Sequence, residues 1–183
     1  MKALPTPFPE LVLVELRAHA DARGAFMETY RKTSHAALGI DRTFVQDNLS
    51  RSRRGTLRGL HYQLLRPQAK LVQATRGEIF DVAADIRVGS PTFGRWFGAI
   101  LGEQRQLWIP EGFAHGFLVV SEVADVIYKV TAEYDAEDDM ALAWDDPTLA
   151  IVWPDVEGAP LLSARDAAAP RLAGNGNLPR YAP

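Results

Sequence analysis

From Thr43 to Trp144 the chain is a succession of short runs in which apolar and polar positions alternate, interrupted by turn residues. A period of two puts every other side chain on one face of a sheet. It predicts strands over Thr43–Ser50, Thr56–Gln63, Lys70–Thr75, Glu78–Ile86, Trp96–Leu101, Gln106–Ile109, His115–Ser121, Asp125–Ala132 and Met140–Trp144. The separators include Arg76-Gly77, Gly89-Ser90-Pro91, Gly102-Glu103, Pro110-Glu111-Gly112 and Tyr134–Asp139. They leave no room for the helices that a parallel sheet requires. Upstream, Leu11–Leu16 is a further apolar run, Asp21–Gly24 has turn chemistry, and a strand resumes over Ala25–Arg31. One short helix is predicted over Lys32–Gly39, with Gly39 as its stop. The expected architecture is an all-β, jelly-roll type β-barrel with a short N-terminal helix and a C-terminal extension. Beyond Ala167, Ala, Pro, Gly and Asn dominate, and residues 167–183 are expected to form a loosely ordered tail.

A length of 183 residues suits a single domain over 1–183 with a full core. Hydrophobic residues at 47% and charged ones at 23% argue against disorder. The net charge of −3 gives no footprint for nucleic acid, and the one basic cluster, Arg51, Arg53, Arg54 and Arg58, suits a small phosphate better. With no cysteine, disulfides, thiolate metal sites and thiol catalysis are excluded. The stretch Met1–Leu16 carries three prolines and no cleavage pattern, so no signal peptide is expected. No apolar run approaches the roughly 20 residues of a membrane helix. A cytoplasmic protein with no membrane partner is the expectation.

The densest chemistry lies between Gly55 and Lys70, where Arg58, His61, Tyr62 and Lys70 interrupt a strand pattern with groups that move protons and hold anions. In a regular strand Arg58 and His61, three apart, face opposite ways. Gly59 permits a bulge that re-aims one of them, and an irregularity is predicted there. Further on, Pro110-x-Gly112-x-x-His115 resembles the second conserved motif of the cupin barrels. At the place of the first motif, His61-Tyr62-Gln63 supplies one imidazole, and with His19 and His35 near the N-terminus no three-ligand metal site assembles. No metal is therefore expected. Taken alone, His115 is equally explained as a structural histidine at a strand start.

A closer resemblance follows from strings spread over Asp21–Asp166: Phe44-Val-Gln46-Asp47-Asn48, Leu57-Arg-Gly-Leu-His-Tyr-Gln63, Gln68-Ala-Lys70, Ser90-Pro-Thr-Phe-Gly94, Gln106-Leu-Trp-Ile-Pro-Glu-Gly-Phe-Ala-His-Gly-Phe117, Tyr128-Lys129, Trp144-Asp-Asp-Pro147 and Trp153-Pro154. In that order they resemble the dTDP-4-dehydrorhamnose 3,5-epimerase family of cofactor-free, dimeric cupins. The resemblance implies inversion of C3 and C5 of a dTDP-4-keto-6-deoxyhexose. It implies catalytic roles for His61 as base, Asp166 behind it, Tyr128 as proton donor and Lys70 at the enolate. It further implies substrate contacts from Gln46, Asp47, Asn48, Arg58, Lys70, His115, Tyr134, Asp139 and Arg165, with Arg23, Phe26 and Glu28 contributed by the neighbouring subunit of a homodimer. Many family members carry Lys where this chain has Arg165.

The chemistry itself demands such a set. Inverting a carbon beside a ketone removes a proton from one face of the sugar and returns one to the other, so two proton-transfer groups must flank the ring. An imidazole titrates close to working pH, and a fixed cation favours the enolate over the neutral ketone. Read without the family, Tyr128 on an apolar strand face is equally compatible with core packing. Three alternatives stay open: an epimerase acting at only one carbon or on a different 4-keto deoxysugar, a cupin that binds a sugar nucleotide without turning it over, and a cupin oxygenase, which would require a bound transition metal.

Overall fold

Among the described residues, thirteen strands and two short helices follow one another: β1 (Lys2–Leu4), β2 (Val12–Glu15), β3 (Ala18–Asp21), β4 (Gly24–Met27), α1 (Lys32–Ala36), β5 (Gln46–Arg53), β6 (Leu57–Gln63), β7 (Lys70–Arg76), β8 (Ile79–Asp85), β9 (Trp96–Leu101), β10 (Arg105–Ile109), β11 (Phe113–Val119), β12 (Val123–Val130), β13 (Asp139–Ala141) and α2 (Ala164–Ala167). The computed structural model describes residues 1–182. Two antiparallel sheets face each other, one of order β1-β2-β10-β7-β12-β5 and one of order β13-β6-β11-β8-β9, while β3 and β4 form a separate hairpin. This is the expected all-β jelly roll. The short strands β1 and β3 and the helix α2 were not anticipated from the pattern; a three- or four-residue element carries too little periodicity to be read.

The core between the sheets is built from Val72, Ala74, Leu107, Ile109, Phe117 and Val126, among others. Strand β7 is buried on both faces, because Leu71 packs outward with Trp108 and Ile40 under α1. That is why its apolar run is nearly continuous rather than alternating. The outer layer is tied down by buried amides. Gln106 Nε2 donates to the Thr29 carbonyl at 2.7 Å and to Gln73 Oε1 at 2.9 Å, and Gln106 Oε1 lies 3.0 Å from His35 Nε2. His35 is thus accounted for as a structural residue.

The predicted irregularity in β6 is present. His115 pairs with His61 and Phe117 with Arg58, so two steps along β11 oppose three along β6. Since His115 and Phe117 point to one face, the extra residue turns Arg58 and His61 to that same face. Gly59 makes this possible with φ of 115°. A Cβ there would lie 2.6 Å from the Gly116 Cα and 2.7 Å from the His115 carbonyl oxygen. Gly59→Ala is accordingly expected to cost roughly 2–4 kcal/mol, read as a drop in the midpoint of thermal unfolding; an unchanged midpoint would show that the bulge relaxes freely.

The expectation of a loose tail does not match the contacts made through residue 182. Leu172 is buried and its N–H donates to Asp146 Oδ2 at 2.7 Å. The Tyr62 hydroxyl donates to the Asn177 carbonyl at 2.7 Å, Arg180 bridges to Val88, and Arg87 lies between the rings of Phe113 and Tyr181 at 4.4 and 5.0 Å. Small and polar composition hid these anchors, which are mostly backbone groups that no residue preference reports. Pro183 lies outside the described residues.

Candidate active site

At one end of the sandwich the inner faces part to leave a cavity of about 350 Å³, within the range of small-molecule sites. One wall belongs to the six-stranded sheet. Tyr128 on β12 pairs with Asn48 on β5 and Val72 on β7, while Val130 pairs with Gln46 and Lys70, so strand alternation puts Gln46, Asn48, Lys70 and Tyr128 side by side. The opposite wall carries His61 on β6, Asp139 on β13 and Arg165 on α2, and two loops add Gln68 and Tyr134. A wider depression of about 520 Å³ around Gly77, Glu78 and Gly102–Arg105 holds no comparable set of proton-transfer groups.

His61 Nε2 lies 2.6 Å from Asp166 Oδ1. An ionised carboxylate only accepts, so it holds the imidazole proton on Nε2 and leaves Nδ1 as the basic nitrogen. Asp166 is set in the first turn of α2, where its N–H donates to the Ser163 cap at 3.0 Å. Burial pushes the Asp166 carboxyl up, but hydrogen bonds from His61, Ser163 and the Gly59 backbone outweigh it and hold the group below the usual carboxylate range.

Burial also dominates on the facing wall. It pushes the Tyr128 phenol up, with Asp139 and Tyr134 adding to the effect and Arg58 opposing it. That phenol keeps its proton at neutral pH and has one to give. The Lys70 ammonium is driven down to about 8 by burial, against the pull of Asp139 and Asp81. It therefore stays cationic below that pH and is close to losing its charge above it.

The remaining residues named from the sequence divide into those near the cavity and those away from it. Arg58 borders the cavity: its Nε donates to Ser52 on β5 at 3.1 Å and its charge acts on the Tyr128 phenol. Tyr134 donates to Asp139 Oδ2 at 3.1 Å, and Arg165 donates to the same oxygen at 2.5 Å, forming a rim. Asp47 does not face the cavity. The period of two that turns Gln46 and Asn48 inward turns Asp47 outward, where it pairs with Lys129 at 2.9 Å. His115 shares the inner face with its cross-strand partner His61 but is buried outside the cavity lining, with Nε2 2.7 Å from Asp81 Oδ1, and burial lowers its pKa against the raising effect of Asp81. Arg23, Phe26 and Glu28 lie on or just after the separate β3–β4 hairpin; Arg23 pairs with Asp21, Glu28 with Arg31, and Phe26 is 73% exposed. The hairpin does not contribute to the cavity wall of its own chain. Gln68 lines the cavity without a role implied by the sequence; its parity with Lys70, two positions on, is the signal that marks it.

Among the described residues no three His, Cys, Asp or Glu side chains gather as a metal-ligand set, and no helix is long and apolar enough to cross a membrane. The fold is a cupin jelly roll, and its cavity gathers side chains of the kinds that transfer protons and hold anions. A family model described as dTDP-4-dehydrorhamnose 3,5-epimerase matches residues 5–174. A dTDP-4-dehydrorhamnose 3,5-epimerase of Pseudomonas aeruginosa is 52% identical over 169 residues, covering 91% of this chain and 93% of that protein. One from Neisseria gonorrhoeae is 51% identical over 170 residues, covering 92% of this chain, which spans only 52% of that relative's length. The crystal structure of a dTDP-6-deoxy-D-glucose-3,5-epimerase from Legionella pneumophila, in complex with dTDP-4-keto-L-rhamnose, superposes with a TM-score of 0.95 at 48% identity, covering 100% of this chain and 99% of that one. The chain belongs to the dTDP-4-dehydrorhamnose 3,5-epimerase family.

Proposed function

We propose that this protein inverts C3 and C5 of dTDP-4-dehydro-6-deoxy-D-glucose to give dTDP-4-dehydro-L-rhamnose, using its own side chains alone. The observation that carries the residue roles is the placement of His61 and Tyr128 on facing walls of one cavity, with Lys70 on the Tyr128 wall. A sugar ring lying between the walls presents one face to a base and the other to an acid. His61, backed by Asp166, removes the proton α to the C4 ketone; the electron pair moves onto the C4 oxygen, and the Lys70 ammonium stabilises the enolate. Tyr128 then delivers a proton to the opposite face of the same carbon. Once His61 has given its proton to solvent and Tyr128 has taken one back, a second round at the other α-carbon completes the reaction. Preorganised charge at the developing oxyanion is the largest single contribution in such chemistry.

The nucleotide end lies towards the rim, where Arg58 and Arg165 offer guanidinium forks to the diphosphate and Gln46 and Asn48 offer amides. The exposed hairpin bearing Arg23, Phe26 and Glu28 completes this region from the partner subunit of a homodimer, since it leaves the cavity of its own chain open. The test is proton NMR of the protein incubated with dTDP-4-keto-6-deoxyglucose in D₂O. Deuterium is expected at both C3 and C5; label at one carbon alone would assign a single-carbon epimerase, and none would refute the proposal.

Lys70 adds a pH signature. Activity should fall as pH rises through about 8, where the ammonium loses its charge. Stability should move the other way. The folded pKa of about 8 lies below the ordinary 10.5, so between these values the unfolded chain binds more protons and folding stability rises with pH. The gain is at most on the order of 3 kcal/mol. In Lys70→Met both the alkaline loss of activity and the alkaline gain in stability should vanish; persistence of either would assign it to another group.

A further inference from the structure

The cavity wall contains three side-chain amides, and hydrogen bonding fixes the polarity of each. Gln46 Oε1 accepts the Tyr134 N–H at 2.9 Å and Gln46 Nε2 donates to Asn48 Oδ1 at 2.8 Å, so both oxygens already accept one bond and Asn48 turns its free NH₂ to a ligand. Gln68 is oriented the opposite way. Its Nε2 donates to the Ala132 carbonyl at 2.7 Å, a bond only the NH₂ side can make, and its Oε1 accepts nothing from the described residues. Gln68 Oε1 is thus the one amide oxygen of the three that accepts no bond among the described residues, and the Asp139 carboxylate takes Tyr134 and Arg165.

Gln68 is also held in place. The Asp138 carboxylate accepts the N–H groups of Leu64, Leu65 and Arg66 at 2.7–3.1 Å. Gln63 Nε2 donates to the Arg66 carbonyl at 2.8 Å, and the Ala69 N–H donates to Thr131 Oγ1 at 2.9 Å. A loop pinned on both sides of residue 68 presents the Oε1 as a preorganised acceptor rather than a mobile one.

We infer that Gln68 determines specificity by accepting a hydrogen bond from a ring hydroxyl of the ketosugar. The inference rests on the reading of this cavity as the site of a 4-keto sugar. On such a ring the ketone, the methyl group, the ring oxygen and the glycosidic oxygen have no proton to donate. The hydroxyls on C2 and C3 are its only donors. Gln68 precedes Lys70 by two residues on the same cavity, which directs its oxygen to the neighbourhood of the carbonyl that Lys70 holds. A substrate lacking the matched hydroxyl leaves the acceptor unpaired, and the site discriminates against it by that deficit.

The experiment measures deuterium incorporation at C5 for three substrates, the dTDP-4-keto-6-deoxyhexose and its 2-deoxy and 3-deoxy congeners, with the wild-type protein, Gln68→Met and Gln68→Ala. Ratios of kcat/KM between substrates within one variant are independent of how much of that variant folds. Wild type should prefer the parent over one congener by on the order of tenfold, consistent with one hydrogen bond, and in both variants that ratio should collapse towards one. The congener that wild type disfavours names the hydroxyl. Ratios in Gln68→Met and Gln68→Ala equal to wild type, or a wild type indifferent to both deletions, overturn the inference while leaving the epimerase reading intact. A wild type that exchanges none of the three overturns that reading and the inference with it.

Discussion

His61→Asn should abolish deuterium incorporation at both C3 and C5, with a rate loss on the order of 10²–10⁴ and little change in binding of the nucleotide sugar. The asparagine roughly preserves the volume and keeps a polar partner for Asp166, while removing the only basic nitrogen on the wall opposite Tyr128. Asp166→Asn is expected to follow the same course for a different reason. The carboxylate accepts the Nε2 proton at 2.6 Å; an amide NH₂ in its place donates to Nε2, moves the proton to Nδ1 and leaves the ring without a base on the cavity side. Exchange measured by NMR and affinity measured by calorimetry separate the two effects. Exchange surviving at one carbon in His61→Asn would mean that another group serves as base there, and the single-base mechanism would have to be abandoned.

Tyr128→Phe should uncouple exchange from inversion. With His61, Asp166 and Lys70 in place the enolate still forms, but no acid faces its other side. His61 then returns a deuteron to the face it came from. Inversion is expected to fall by on the order of 10²–10³, while label continues to enter with retained configuration. The comparison is made in one D₂O experiment that scores both label and stereochemistry. If inversion and exchange fall by the same factor, Tyr128 acts before the enolate exists; if inversion is unaffected, the acid is elsewhere. Folding is not expected to obscure the result, because the phenylalanine ring fills the same space among Val126, Val72 and the neighbouring core.

Much of the fold was legible because a sheet with one buried face writes its period into the chain. The β12 segment Val126-Ile127-Tyr128-Lys129-Val130 is an example: Val126 and Val130 are fully buried and Tyr128 shares their face. The bulge at Gly59 was legible for the same reason, since two functional residues three apart can share a face only if the ladder is broken. Elements too short to show a period, such as β1, β3 and α2, were not. Motif and period part company at Asp47: the family string groups it with Gln46 and Asn48, while alternation sends it to the outer face beside Lys129.

The sequence by itself determined the all-β jelly-roll architecture and the absence of thiol chemistry, because both depend on residue type and local spacing. Only the tertiary structure decided that His61 and Asp166 meet across 105 positions of chain, that Lys70 is buried deeply enough to titrate near 8, that His115 is buried against Asp81 and does not line the cavity, and that the tail is anchored. Those outcomes depend on which strands become neighbours and on how much water each charge loses, and neither quantity is carried by any stretch of sequence alone.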